Sequence, residues 1–143
     1  MSSVMVLASD FPLEAFISPA EKPVVPSEDT GGTAVIIRFE DDFVVWPFEG
    51  YLEIPSQKKY FADLAIYNPD CGEKIVEYLR SQLETAPEIE LWHVWLDGDM
   101  DHRVRQAEIP ADELTPEDIR ELNALETWRE PVTDYCYRIQ AKR

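Results

Sequence analysis

The chain has 143 residues, 45% of them hydrophobic and 29% charged, and its 13 basic against 29 acidic side chains give a formal net charge of −16. This suits one globular domain that buries roughly 68–70% of its unfolded surface without a metal or disulfide staple. The negative field repels phosphate backbones and anionic headgroups, so neither nucleic acid nor a membrane surface is an expected partner. The N-terminal segment has no basic leader, no stretch approaches the roughly 20 apolar residues that span a bilayer, and Cys71 and Cys136 are the only cysteines. A cytoplasmic protein with reduced thiols is expected.

Residues 4–8 form a short apolar run that reads as a buried strand, edge or central. Residues 10–32 carry Pro12, Pro19, Pro23 and Pro26 and end in Gly31-Gly32. Repeated prolines forbid a continuous helix or central strand, so a long surface excursion is predicted, with at most a helical turn at residues 13–17. Residues 33–39 are rich in β-branched side chains and read as a strand. Residues 43–46 return as its hairpin partner until Pro47 stops them, and residues 51–54 are a weaker strand.

Residues 60–66 alternate Tyr60, Ala62, Leu64 and Ile66 against Phe61, Asp63 and Ala65, the period of a strand. Asn68-Pro69-Asp70 is predicted to open a helix whose apolar stripe is Ile75, Val76, Leu79 and Leu83, closed by Pro87. Residues 89–96 form a strand with large apolar groups on both faces, and an acidic turn at residues 97–102 leads to a strand at 103–109. Thr115-Pro116-Glu117-Asp118 is a capping box, Leu114 is placed to staple against Ile119, and Ile119, Leu122 and Leu125 form the buried stripe. In the last strand, residues 133–140, Tyr135, Tyr137 and Ile139 alternate with Cys136 and Arg138.

From residue 60 the order is βαββαβ, which predicts a single α+β domain: a ferredoxin-like portion over residues 58–143 and an N-terminal β extension with the Pro-rich loop over residues 1–57. Right-handed crossovers place both helices on one sheet face. The N-terminal strands then extend the sheet or cover its other face.

Asp97, Asp99, Asp101 and Glu108 stand at positions one, three, five and twelve of a calcium-loop pattern, but His102 replaces the glycine of position six and strands flank the loop. An ordinary polar turn is the simpler reading. Cys71 lies near a predicted helix start, which favours a thiolate, yet Asp70 and Glu73 beside it oppose one. His93 sits in an apolar strand and lacks an orienting partner in the sequence. There is no phosphate-binding glycine loop, nucleophile elbow or Cys/His cluster. No catalytic residue, cofactor or metal site is therefore predicted, and an enzyme is not the expected class.

What remains is aromatic density within an acidic frame. Trp46, Phe48 and Trp128 lie beside prolines or element ends, where aromatics are half buried, and Glu117 and Glu121 belong to an acid-rich stretch relieved only by Arg120 and Arg129. These five residues (Trp46, Phe48, Glu117, Glu121 and Trp128) are the candidate contact surface for a basic protein, with a regulatory or immunity-type role. The alternative is a small ligand-binding domain or enzyme whose pocket lies between the sheet face and residues 10–32.

Overall fold

The computed structural model describes residues 3–19, 41–48, 54–96, 102–124 and 132–141. Along the chain these form β1 (Ser3–Ser9), β2 (Phe16–Pro19), β3 (Asp41–Phe48), β4 (Tyr60–Ile66), α1 (Gly72–Gln82), β5 (Glu88–Trp95), β6 (His102–Pro110), α2 (Pro116–Asn123) and β7 (Val132–Gln140). The described strands make one seven-stranded sheet in the order β2-β3-β4-β1-β5-β7-β6. Neighbours are antiparallel except β6 and β7, which run parallel.

The chain is thus α+β, and the βαββαβ element order is present from residue 60. The strand order departs from the ferredoxin-like pattern. In that pattern the two strand–helix–strand units interleave; here β4-α1-β5 and β6-α2-β7 lie side by side, and β1 is slotted between β4 and β5. Side-chain polarity explains the arrangement. β1 is buried from Met5 to Ser9 and is the central strand, hydrogen-bonded on both sides. β6 is solvent-exposed from Arg103 to Glu108, so it takes the edge, where charged side chains also discourage further pairing. β7 has buried positions on both faces and fits between β5 and β6, which are therefore not hydrogen-bonded neighbours.

Both helices pack on one face. Ile75, Val76, Tyr78 and Leu79 of α1 join Ile119 and Leu122 of α2, together with Met5, Leu7, Leu64, Ile89, Leu91 and Ile139 from the sheet. Burying each large aliphatic side chain is worth about 1.5–3 kcal/mol. The other face carries a smaller cluster of Val6, Ala8, Trp92, Val94 and Cys136, covered in part by Phe48, Ile54 and Phe61. β5 is therefore apolar on both faces, as expected.

α2 begins as its sequence dictates: Thr115 accepts from the Asp118 amide at 3.3 Å and Asp118 accepts from the Thr115 amide at 2.9 Å. Leu114 and Ile119 are both buried in the main core. α1 starts later than predicted, at Gly72 after Cys71. Asn68 caps its own turn instead, accepting from the Asp70 amide at 3.0 Å, a local bond that competes with helix entry.

Residues 16–19 are extended rather than helical: Phe16 stacks on Phe43 at 5.5 Å and lies 5.7 Å from Tyr78. Pro47 does not end β3; it sits past the last β2 pair, Phe16 with Val45, where a missing donor is tolerated. Tyr60 shares the strand side of the buried Ala62 and Leu64 but is 44% exposed at the first position of β4. The strand predicted at residues 33–39, most of the 51–54 and 97–102 segments, Leu125 and Trp128 lie outside the described residues. No described helix is long and apolar enough to cross a membrane.

Candidate functional site

The outer surface of the helix pair is built by amphipathic spacing. Because Ile75, Val76 and Leu79 face the sheet, Glu73 and Glu77 face solvent; because Ile119 and Leu122 do, so do Glu117 and Glu121. Gly72 lets the two first turns meet: a Cβ there would stand 2.8 Å from the Pro116 carbonyl oxygen and 2.9 Å from the Pro116 Cβ. Nothing larger than glycine fits that approach, and it joins the acids of both helices into one surface.

The cations of this region each have a bonded partner, although Arg80 and Arg120 remain exposed. Arg80 donates through Nε to the Ala111 carbonyl and through Nη2 to that of Leu114, both at 3.2 Å. Lys74 donates to Asp42 at 2.5 Å. Arg120 pairs with Asp70 at 3.1 Å and Glu117 at 3.7 Å, but it is half exposed, and such pairs are weak. Glu73, Glu77, Glu113 and Glu121 are all exposed around them. Exposed acids outnumber the exposed Arg80 and Arg120 on this surface, which is therefore acidic on balance.

Trp46 and Phe48 do not join it. Along β3, Phe43 and Val45 belong to the helix-side core, so Val44, Trp46 and Phe48 point to the opposite face. Trp46 is 59% exposed there, and Phe48 packs 6.1 Å from Phe61. Of the five candidate contact residues, Glu117 and Glu121 share one surface, Trp46 and Phe48 share another, and Trp128 lies outside the described residues.

A polar cleft of about 400 Å³ opens on the face away from the helices, lined by Asp10, Ser56, Lys58, Glu88, Glu90 and Arg138. Lys58 reaches Glu88 at 3.1 Å and Asp10 at 3.3 Å. Arg138 bonds Glu88 at 3.1 Å and Glu108 at 3.3 Å. Glu90 is buried, accepting from Ser56 Oγ and from Trp92 Nε1 at 3.0 Å. Burial pushes the Glu88 carboxyl up, but the hydrogen bonds from Lys58 and Arg138 outweigh it and the net shift is down. Burial likewise opposes the Lys58 ammonium, and Glu88 and Asp10 reverse that to a net rise. Each partner holds the other in its charged form. An acid–base pair for neutral-pH catalysis needs the opposite shifts, so this is a cross-brace between β5, β7 and residues 54–58. Sequence periodicity gave no sign of it, because its members are isolated charges on five separate segments.

Both cysteines are buried and free. Burial, then the Asp42 charge, pushes the Cys71 thiol up, against nucleophilic use. Burial pushes the Cys136 thiol well up. The described residues contain no group of three or more His, Cys, Asp or Glu able to hold a metal ion, and the 97–101 turn is not among them. His93 is fully inside, 1% exposed, its ring edge-on to Trp95 at 5.3 Å. Pro12, Leu13, Pro47, Phe48, Tyr60 and Phe61 border a cavity of about 610 Å³ beside the 10–19 segment. No known family model, curated protein or solved structure matches the chain.

Proposed function

We propose that this chain is a cytoplasmic acidic interaction domain that docks a basic protein surface through the outer face of α1 and α2. The observation that supports it most is the excess of exposed acids over the exposed Arg80 and Arg120 on the two helices. Arg80 and Lys74 are bonded to carbonyls and to the buried Asp42, while Glu73, Glu77, Glu117 and Glu121 stay exposed around the glycine-mediated helix contact. A face of one sign steers a partner of the other, chiefly by raising the association rate. The competing reading, a ligand pocket beside residues 10–32, has the 610 Å³ cavity in its favour, but no buried polar side chain among its lining residues would orient a ligand.

The test is affinity capture from native lysate followed by binding kinetics on the identified partner. Glu117→Lys with Glu121→Lys is expected to abolish capture at physiological salt without loss of fold, and Trp46→Ala, on the opposite face, to leave it intact. Capture that survives the double reversal but fails with Trp46→Ala would move the interface to the other side of the sheet and overturn the proposal.

A further inference from the structure

The pairing of β1 with β4 stops at Met5 and Leu64, although β1 continues beside β5 to Ser3 and β4 continues beside β3 to Ile66. Each strand follows its other neighbour, and the two part at this end of the sheet. A cavity of about 470 Å³ lies at the parting, lined by Ser3, Val4 and Met5 of β1 and by residues 63–66 of β4. Because the strands part, residues of both sheet faces reach it: Met5 and Leu64 belong to the helix side, Val4 and Asp63 to the other. The volume falls within the roughly 300–1,000 Å³ of small-ligand sites. Tyr67 and Leu96, 65% and 43% exposed, mark its opening to solvent.

Among the described residues the lining holds one carboxylate, Asp63, and no lysine or arginine. Alternation turns Asp63 to the face away from the helices, between its cross-strand neighbours Trp46 of β3 and Val6 of β1. Val6 has no exposed surface, whereas Trp46 is 59% exposed. Burial raises the Asp63 pKa, and no described cation or hydrogen-bond donor acts the other way. By contrast, Asp42 and Glu88 each hold a lysine. A carboxylate set against apolar surface has lost hydration that a cation or a group of donors returns.

We infer that this cavity binds a small primary amine in its ammonium form, with the charged head on the Asp63 carboxylate beside the Trp46 indole and an apolar body in the gap between β1 and β4. Past Met5 and Leu64, the main-chain groups that would have continued the ladder face the gap, and their carbonyls add acceptors for the three N–H donors of an ammonium. Cross-strand neighbours stand about 4.5–5.5 Å apart at Cβ, so an ion on Asp63 comes within reach of the indole face, which attracts cations. Val4, Leu64 and Ile66 take the apolar part. The volume is that of a site for a free small molecule rather than for one protein side chain. An anion would meet Asp63 and the field of a chain at −16, and a neutral ligand would leave the carboxylate uncompensated. This inference is independent of the helix docking face, because Asp63 and Trp46 stand on the opposite side of the sheet.

The experiment is a titration of the full chain with benzylamine, with methylammonium, benzyl alcohol and benzoate as controls. It is read by the Asp63 carboxyl resonance in ¹³C-labelled protein and by the melting temperature. Benzylamine is expected to move the Asp63 signal, to lower the pH at which that carboxyl titrates and to raise the melting temperature. Methylammonium, which lacks the apolar body, and benzyl alcohol, which lacks the charge, should each bind at least about tenfold more weakly, and benzoate more weakly still. Asp63→Asn removes an unpaired carboxylate, so it should melt at or above the wild-type temperature while losing about tenfold in benzylamine affinity and none for benzyl alcohol. Trp46→Ala should weaken benzylamine about threefold. Four results overturn the inference: an Asp63 signal that does not move at any benzylamine concentration, benzylamine bound equally well by Asp63→Asn, methylammonium bound as tightly as benzylamine, or a marked loss of melting temperature in Asp63→Asn, which would show that the carboxylate already has a partner within the chain.

Discussion

Asp42 is the residue on which the entry to α1 depends, and its removal gives the sharpest stability test. Its carboxylate, buried on β3, accepts from Lys74 Nζ at 2.5 Å and from Asn68 Nδ2 at 3.1 Å. Its carbonyl accepts from the amides of Tyr67 and Asn68, both at 3.0 Å, so it joins β3, the 67–71 turn and the first turn of α1. A hydrogen bond to a charged group contributes about 1.5–3 kcal/mol and a neutral one about 1 kcal/mol. Lys74 keeps 34% side-chain exposure and regains hydration when its partner goes, which trims the sum. Asp42→Ala is expected to cost about 2–3 kcal/mol, and Asp42→Asn less, because an amide oxygen still accepts from Lys74. The Lys74 hydrogen bond, then that of Asn68, holds the Asp42 carboxyl below its ordinary value. A lowered folded pKa gives stability that is complete above the unfolded value, about 3.9, and is lost as pH falls toward the folded one. The gap between wild type and Asp42→Ala should therefore narrow below about pH 4. Urea unfolding followed by tryptophan fluorescence at pH 7, 5, 4 and 3 measures it. A loss under about 1 kcal/mol at pH 7, or a gap constant down to pH 3, would refute the reasoning.

Two further outcomes are expected. Leu79→Ala and Leu122→Ala, at positions with no exposed surface between helix and sheet, should each cost about 2–5 kcal/mol in the same assay, and losses below about 1 kcal/mol at both would mean the helix faces are misassigned. Calcium should leave the melting temperature unchanged, since Glu108, the twelfth position of the loop pattern, lies on β6 and pairs with Arg138 at 3.3 Å; a rise that disappears in Asp99→Asn would contradict this.

Local chemistry was the legible part of this sequence. The Thr115 capping box, the span of β4, the two-faced burial of β5 and the alternation in β7 all rest on neighbours within a few residues, where periodicity and capping act. Long-range pairing was not legible. Residues 4–8 read as a strand, but their place between β4 and β5 depends on partners more than 50 residues away. The β2 strand was hidden because Pro12 and Pro19 argue against regular structure, while Phe16 is held by Phe43 and Tyr78. The acids of α2 could be placed on an exposed face from helical spacing alone. That Trp46 and Phe48 belong to the opposite face followed only once Phe43 and Val45 were seen to pack beneath α1 and its neighbours. Asp42 was invisible as a hub because Glu40-Asp41-Asp42 reads as an ordinary acidic turn.

The docking role of the helix face is tested most directly by the association rate of the captured partner over a salt series, for wild type and for Glu117→Lys with Glu121→Lys. If the acidic face steers the encounter, the wild-type rate falls steeply as screening shortens the field to about 8 Å at physiological ionic strength. The double reversal should be at least about tenfold slower at low salt, with a flatter salt dependence, while the dissociation rate changes less. An association rate that is insensitive to salt and identical in the double variant would contradict the account.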